Sequence, residues 1–227
     1  MIAFQSVSKI YNSHSTALED VDFEIEQGEF VSLSGRSGAG KSTVIKLLIG
    51  EDKPSKGRVL FNQYEVNKLE DNELPAFRRH VGIIFQDFRL LPTKTSYENI
   101  AFAMEVAGRP QVEIEELVPQ VLDMVGLGGK EDNFPQQLSG GEKQRVAIAH
   151  AMIHRPEVVI ADEPTGNLDP LNAYEIIKLL EKINQLGTTV ILATHDKDVI
   201  NSLEKRVITL DKGRVIRDEA KGKYILV

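Results

Sequence analysis

A chain of 227 residues is long enough to bury a substantial core as one globular unit, and 41% hydrophobic with 27% charged residues excludes disorder beyond the ends. A formal net charge of -7 opposes the broad basic face that nonspecific nucleic-acid binding relies on, so no nucleic-acid partner is expected. The absence of cysteine excludes disulfides, thiolate zinc sites and a cysteine nucleophile, and no run approaches the ~20 apolar residues of a membrane span.

The N-terminal segment lacks a basic stretch followed by an apolar core, so the expected location is the cytoplasm, with any membrane association supplied by a partner. Residues 17–26 alternate, with Val21, Phe23 and Ile25 opposite Asp22, Glu24 and Glu26, the pattern of a strand wetted on one face. With residues 2–11 and 58–61 they predict a small antiparallel β subdomain. Strands of a different kind follow at 30–34, 81–85, 158–161 and 189–193. They are short and apolar without alternation, as strands of a parallel, helix-covered sheet read. Between Asp87 and Arg155 the pattern turns helical: Ile114, Leu117, Val118, Val121, Leu122 and Val125 share one face. Pro119 lies inside that run and predicts a kink or a later helix start. An amphipathic helix carrying Ile176, Ile177, Leu180 and Ile183 precedes a hairpin turning at Asp211, Lys212 and Gly213. The expected fold is α/β: a core of residues 1–86 and 156–227, interrupted by a helical subdomain at about 87–155, in a single domain.

The run Gly35, Arg36, Ser37, Gly38, Ala39, Gly40, Lys41, Ser42 matches the phosphate-loop pattern and stands between an apolar strand and a helix-like segment, the context the motif requires. Its glycines let the backbone aim several N–H groups at phosphate, and the following helix adds a favourable dipole. Lys41 supplies charge to the β and γ phosphates, Ser42 a hydroxyl for Mg²⁺, and Thr43 a donor to the α phosphate. The strand 158–161 ends in Asp162 and Glu163, at the sheet edge where ligands of open α/β folds bind. Asp162 is expected to face the metal and Glu163 to act as base on the attacking water; the alternative is a solvated acidic pair before Pro164. Gln86 closes the strand 81–85 and His195 follows the strand 189–193. Gln86 is a candidate for the metal and the attacking water through its amide oxygen, and His195 for the γ phosphate or that water, each against the plainer reading of a surface side chain.

Ser139 and Glu142 stand at capping-box spacing, which a helix start alone would explain. The paired Gly140 and Gly141 also suit an anion site, because they bare N–H groups at a helix N-terminus.

Taken together, the phosphate loop, Gln86, Leu138 to Glu142, Asp162 with Glu163, Gly166 to Asp169 and His195 resemble the ABC ATPase family in order and spacing. The resemblance implies an ATPase that dimerises on binding ATP. Each nucleotide is held by the phosphate loop of one chain and by Ser139, Gly140 and Gly141 of the other. It further implies that Tyr11 stacks on adenine and that Asn167 and Asp169 couple the two sites. Within the family, residues 85–92, the following Tyr97, Glu98 and Asn99, and residues 193–196 resemble the cell-division branch. That implies an integral membrane partner contacted between Asp87 and Pro92, at the inner face of a bacterial membrane. The ATPases of lipoprotein-release and amino-acid-uptake transporters form the alternative. Two positions depart from the family pattern, Glu142 for a more usual glutamine and His150 for a more usual arginine.

Overall fold

A computed structural model describes residues 1–12 and 15–224, the side chain of Asn12 excepted. Two compact units emerge, one formed by residues 1–78 and 184–227 and the other by residues 79–183. The first opens with β1 (Ile2–Asn12), β2 (Ser15–Ile25), β3 (Phe30–Ser34), α1 (Lys41–Leu48), β4 (Lys56–Phe61), β5 (Tyr64–Glu65) and α2 (Leu74–Arg78). The second holds β6 (Val81–Phe85), α3 (Ser96–Val106), α4 (Gln111–Met124), α5 (Gly140–Met152), β7 (Val158–Asp162) and α6 (Pro170–Gln185), whose last residues return to the first. There the chain ends through β8 (Thr189–Thr194), α7 (Lys197–Leu203), β9 (Arg206–Asp211) and β10 (Arg214–Glu219).

Within the first unit, β2, β1, β4 and β5 form an antiparallel sheet in that order. The alternation of β2 has the predicted consequence: Val21, Phe23 and Ile25 are buried while Asp22 and Glu24 face water, and Phe23 stacks on Phe4 with ring centroids 4.6 Å apart. A second group of strands runs in the order β10, β9, β3, β8, with β3 parallel to both β8 and β9. All five residues of β3 are buried, as a strand without alternation requires. The C-terminal hairpin pairs Arg214 with Asp211, as expected.

Within the second unit β6 and β7 pair in parallel, Phe85 opposite Asp162. A Cβ added to Gly82 would meet the Ala151 carbonyl oxygen at 2.6 Å, so α5 lies close against β6 and glycine is needed there. Ile114, Val118 and Leu122 of α4 are buried along the predicted face. α4 nevertheless begins at Gln111, ahead of Pro119, so the expectation of a later start fails. The buried stripe on both sides of the proline keeps the helix running through it. Two helices not drawn individually from sequence have local start signals: Thr95 and Glu98 form a capping box for α3, and Asp196 caps α7 by accepting from Asp198 and Val199 N–H groups.

A nucleotide site of ABC type

β3 runs directly into the loop of residues 35–40, which feeds α1. Gly35 and Gly40 take positive φ values of 148° and 113°. A Cβ at Gly35 would fall 2.4 Å from the Leu210 carbonyl, and one at Gly40 would fall 2.7 Å from the Leu18 side chain. Backbone conformation and packing both demand glycine there. The loop closes on itself through Ala39 N–H to the Arg36 carbonyl, 3.1 Å, and is tied to the β-hairpin turn by Gly213 N–H to the Ala39 carbonyl, 3.0 Å. Lys41 is only 7% exposed; its ammonium donates to the carbonyls of Gly35 at 2.6 Å and Arg36 at 3.4 Å, which fixes the cation within the loop. Arg36, Ser37, Gly38 and Ser42 are exposed, with Thr43 partly so, leaving the loop open to a ligand.

His195 is exposed in the same unit, just past β8. Tyr11, 49% exposed near the end of β1, has the Lys9 ammonium 4.8 Å from its ring centroid. Its hydroxyl and the Lys9 ammonium both bond Asp52. Burial alone would raise the Asp52 carboxyl, but these bonds prevail and hold it below its ordinary value.

In the second unit, β7 delivers Asp162 as its last residue, and Glu163 follows with φ at 49°. A glutamate in the left-handed region is strained by about 1–3 kcal/mol. A turn with Gly166 N–H to the Glu163 carbonyl, 3.1 Å, holds it. Nothing in the sequence announces this backbone twist, which re-aims Glu163 away from the direction a continuing strand would give it.

Gln86 and Asn167, 81 positions apart, hold each other. Asn167 Nδ2 donates to the Gln86 carbonyl at 2.9 Å, and Gln86 Nε2 donates to Asn167 Oδ1 at 3.4 Å. Gly166 makes room: a Cβ there would lie 2.6 Å from Gln86 Nε2.

The start of α5 is a capping box, with Ser139 Oγ accepting from Glu142 N–H at 3.2 Å and Glu142 Oε2 accepting from Ser139 N–H at 2.8 Å. The Ser139 N–H bond is the main reason the Glu142 carboxyl lies below its ordinary value, with Lys130 assisting. The glycines, expected from sequence to suit an anion, also have a packing reason. A Cβ on Gly141 would fall 2.0 Å from Asn172 Oδ1, and one on Gly140 would fall 3.2 Å from Leu168. Asn172 in turn bonds Asp169, whose carboxylate also accepts from the Leu171 and Asn172 N–H groups at 3.1 Å and so starts α6. Those bonds, Asn172 foremost, hold the Asp169 carboxyl below its usual value. Asn172 is not singled out from sequence, because it belongs to no motif with a local signature.

The family profile described as ABC transporter matches residues 18–166. Over 99% of its length the chain is 49% identical to the cell division ATP-binding protein FtsE of Bacillus subtilis and 50% identical to that of Mycobacterium tuberculosis, in each case covering 98% of the relative. Its fold matches a dimeric, post-hydrolysis structure of the ATP-binding cassette MJ0796 bound to ADP and Pi. The TM-score is 0.87 and the identity 36%, with 99% of this chain and 100% of that one covered. With a phosphate loop of the right build in one unit and strand-end acids, an amide and a capped glycine pair in the other, the chain belongs to the ABC family of ATP-hydrolysing proteins, in its FtsE branch of cell-division ATPases.

Proposed function

We propose that the chain binds ATP with Mg²⁺ on the phosphate loop, hydrolyses it within a homodimer, and passes the resulting motion to an FtsX-like integral membrane protein. The observation that carries this reading is the loop between β3 and α1, whose glycine geometry and captive Lys41 suit a polyphosphate. The Ser42 hydroxyl, the Gln86 amide oxygen and the Asp162 carboxylate are hard oxygen donors. Their chemistry fits Mg²⁺, which favours one or two carboxylates together with substrate phosphates. Bound with the nucleotide, the ion would neutralise charge on the β and γ phosphates.

The remaining work falls to the chain's own groups. The N–H groups of residues 35–40 orient the phosphates, Lys41 offsets the charge that develops on the γ phosphate, and Thr43 steadies the α phosphate. Tyr11 offers an exposed ring for adenine. Glu163 accepts a proton from the water whose oxygen attacks the γ phosphorus, while the bond to the bridging oxygen of ADP breaks. His195 holds that water or the γ phosphate. Ser139, Gly140 and Gly141 of a second chain would close over the nucleotide with capped N–H groups, and Asn167 with Asp169 would couple the two sites. The dimeric state described for MJ0796 supports this arrangement.

The chain acts as one ATPase domain, with residues 87–155 as the helical lobe that meets the membrane partner between Asp87 and Pro92. Exposed Leu91 there and Phe102 on α3 support that contact. Among the described residues no helix is long and apolar enough to cross a membrane, so attachment to the inner face of the bacterial membrane is peripheral and runs through the partner.

Glu163→Gln tests the reading. It keeps the shape and loses the base, so the variant should bind ATP, accumulate as a dimer and turn over about 10²–10⁴-fold more slowly. Turnover at the wild-type rate would remove Glu163 from its role.

A further inference from the structure

The segment after β6 is held from two sides by side-chain amides. Gln144, in α5 and 0% exposed, donates through Nε2 to the Phe85 carbonyl at 3.4 Å, and Asn167 Nδ2 donates to the next carbonyl, that of Gln86, at 2.9 Å. Asn167 also receives the Gln86 side chain, so one amide grips both the backbone and the head of this glutamine. The chain beyond is strained. Phe88 and Arg89 are consecutive non-glycine residues at φ values of 62° and 51°, in a turn closed by Phe88 N–H to the Phe85 carbonyl at 3.3 Å and Arg89 N–H to the Asp87 carbonyl at 2.7 Å. The Arg89 guanidinium stacks 3.5 Å from the Phe85 ring centroid. A turn carrying two left-handed residues costs about 1–3 kcal/mol for each and persists only where its surroundings hold it.

We infer that Asn167 is a positioning residue that acts within its own chain: it latches Gln86 and the strained turn of residues 87–89, and so sets where the Gln86 amide stands when nucleotide arrives. The inference rests on the proposed reading of Gln86 as a group facing the metal and the attacking water. It gives Asn167 a role separate from coupling across a dimer. Gly166 belongs to the same device, because any side chain there would expel the Gln86 head.

Two measurements on the full chain test it. In the nucleotide-free protein, Asn167→Ala should speed amide hydrogen exchange at Phe88 and Arg89 about fivefold, the effect of losing one ordinary hydrogen bond. In steady-state ATP hydrolysis Asn167→Ala should lower kcat about fivefold with KM for ATP nearly unchanged. It should lower kcat far less when added to Gln86→Ala. Additive losses in the double variant would mean that Asn167 acts elsewhere, across the dimer for instance, and would overturn the inference, as would unchanged exchange at Phe88 and Arg89. If instead Gln86→Ala alone hydrolyses ATP like wild type, the reading of Gln86 in the chemistry fails. The catalytic role of Asn167 falls with it, while the exchange rates still decide whether the latch exists.

Discussion

The ring nitrogen Nδ1 of His150, in α5, lies 2.8 Å from the carbonyl oxygen of Asn99, in α3. Asn99 is 3% exposed, and its side chain knots the loop ahead of α3. Nδ2 donates to the carbonyls of Leu91, Lys94 and Thr95 at 3.2, 2.9 and 2.8 Å, and Oδ1 accepts from Leu91 N–H at 2.7 Å. The helix that begins with the glycine signature is thereby tied, through one histidine and one asparagine, to the segment proposed to meet the membrane partner. Where the wider family more often has arginine, this chain reaches the α3 backbone with an imidazole.

Asn99→Ala therefore leaves several buried backbone groups without their partner and should destabilise the protein by about 2–4 kcal/mol, which for a chain of this size lowers Tm by about 6–12 °C. His150→Ala removes a single hydrogen bond and should cost only about 1 kcal/mol. Thermal unfolding of both variants checks the order. Equal shifts would mean that Asn99 does not organise the loop.

His154, just past α5, should make the stability of this region depend on pH. Burial pushes its imidazole below the ordinary histidine value; a bond with the Ala103 backbone opposes the shift, and Arg79, His150 and Arg109 add to it. The unfolded chain then binds the proton more readily than the folded one. The stability contributed by neutral His154 is whole above the ordinary value near pH ~6.5 and is lost as pH falls from there toward the lowered folded value. His154→Gln should flatten stability against pH across that window in denaturant titrations. A slope identical to wild type would place the dependence on another group.

Gly141→Ala tests which of two demands glycine answers. The added methyl would displace Asn172 and through it the bonds to Asp169, costing about 1–3 kcal/mol by overpacking. In an Asn172→Ala background the same change should be nearly neutral for stability. ATP turnover should stay depressed in that double variant if the bare N–H groups also serve phosphate, and should recover if the glycine is there for packing alone.

Lys41→Ala removes a cation that donates to two loop carbonyls. Losing its charge-assisted contact to phosphate should weaken ATP binding about 10–100-fold, measured by titration calorimetry, and stop hydrolysis. Lys41→Arg should not rescue it, since a planar fork does not replace a compact ammonium in a tight glycine loop.

Much of this was open to reading residue by residue. The all-buried β3, the alternating β2 and the Ser139 and Glu142 box follow from neighbours a few positions apart, which is why their places and types agree with the structure. The glycine loop between β3 and α1 is legible for the same reason: its conformation is carried by consecutive residues. At Pro119 the local rule leaves a kink and a later start both open, and the buried stripe of Ile114, Val118 and Leu122, which is tertiary, rules out the later start.

The sequence by itself determined the α/β class, the phosphate loop, the strand-end acids and the capped glycine signature, since hydrogen-bonding pattern and hydrophobic period act over a few residues. Only the tertiary structure decided that Glu163 leaves its strand through a left-handed turn, that Gly141 gives way to Asn172, and that Asn167 grips Gln86 from 81 positions away. These depend on which backbones approach within about 3 Å of each other, a distance set by the packing of whole elements rather than by any local preference.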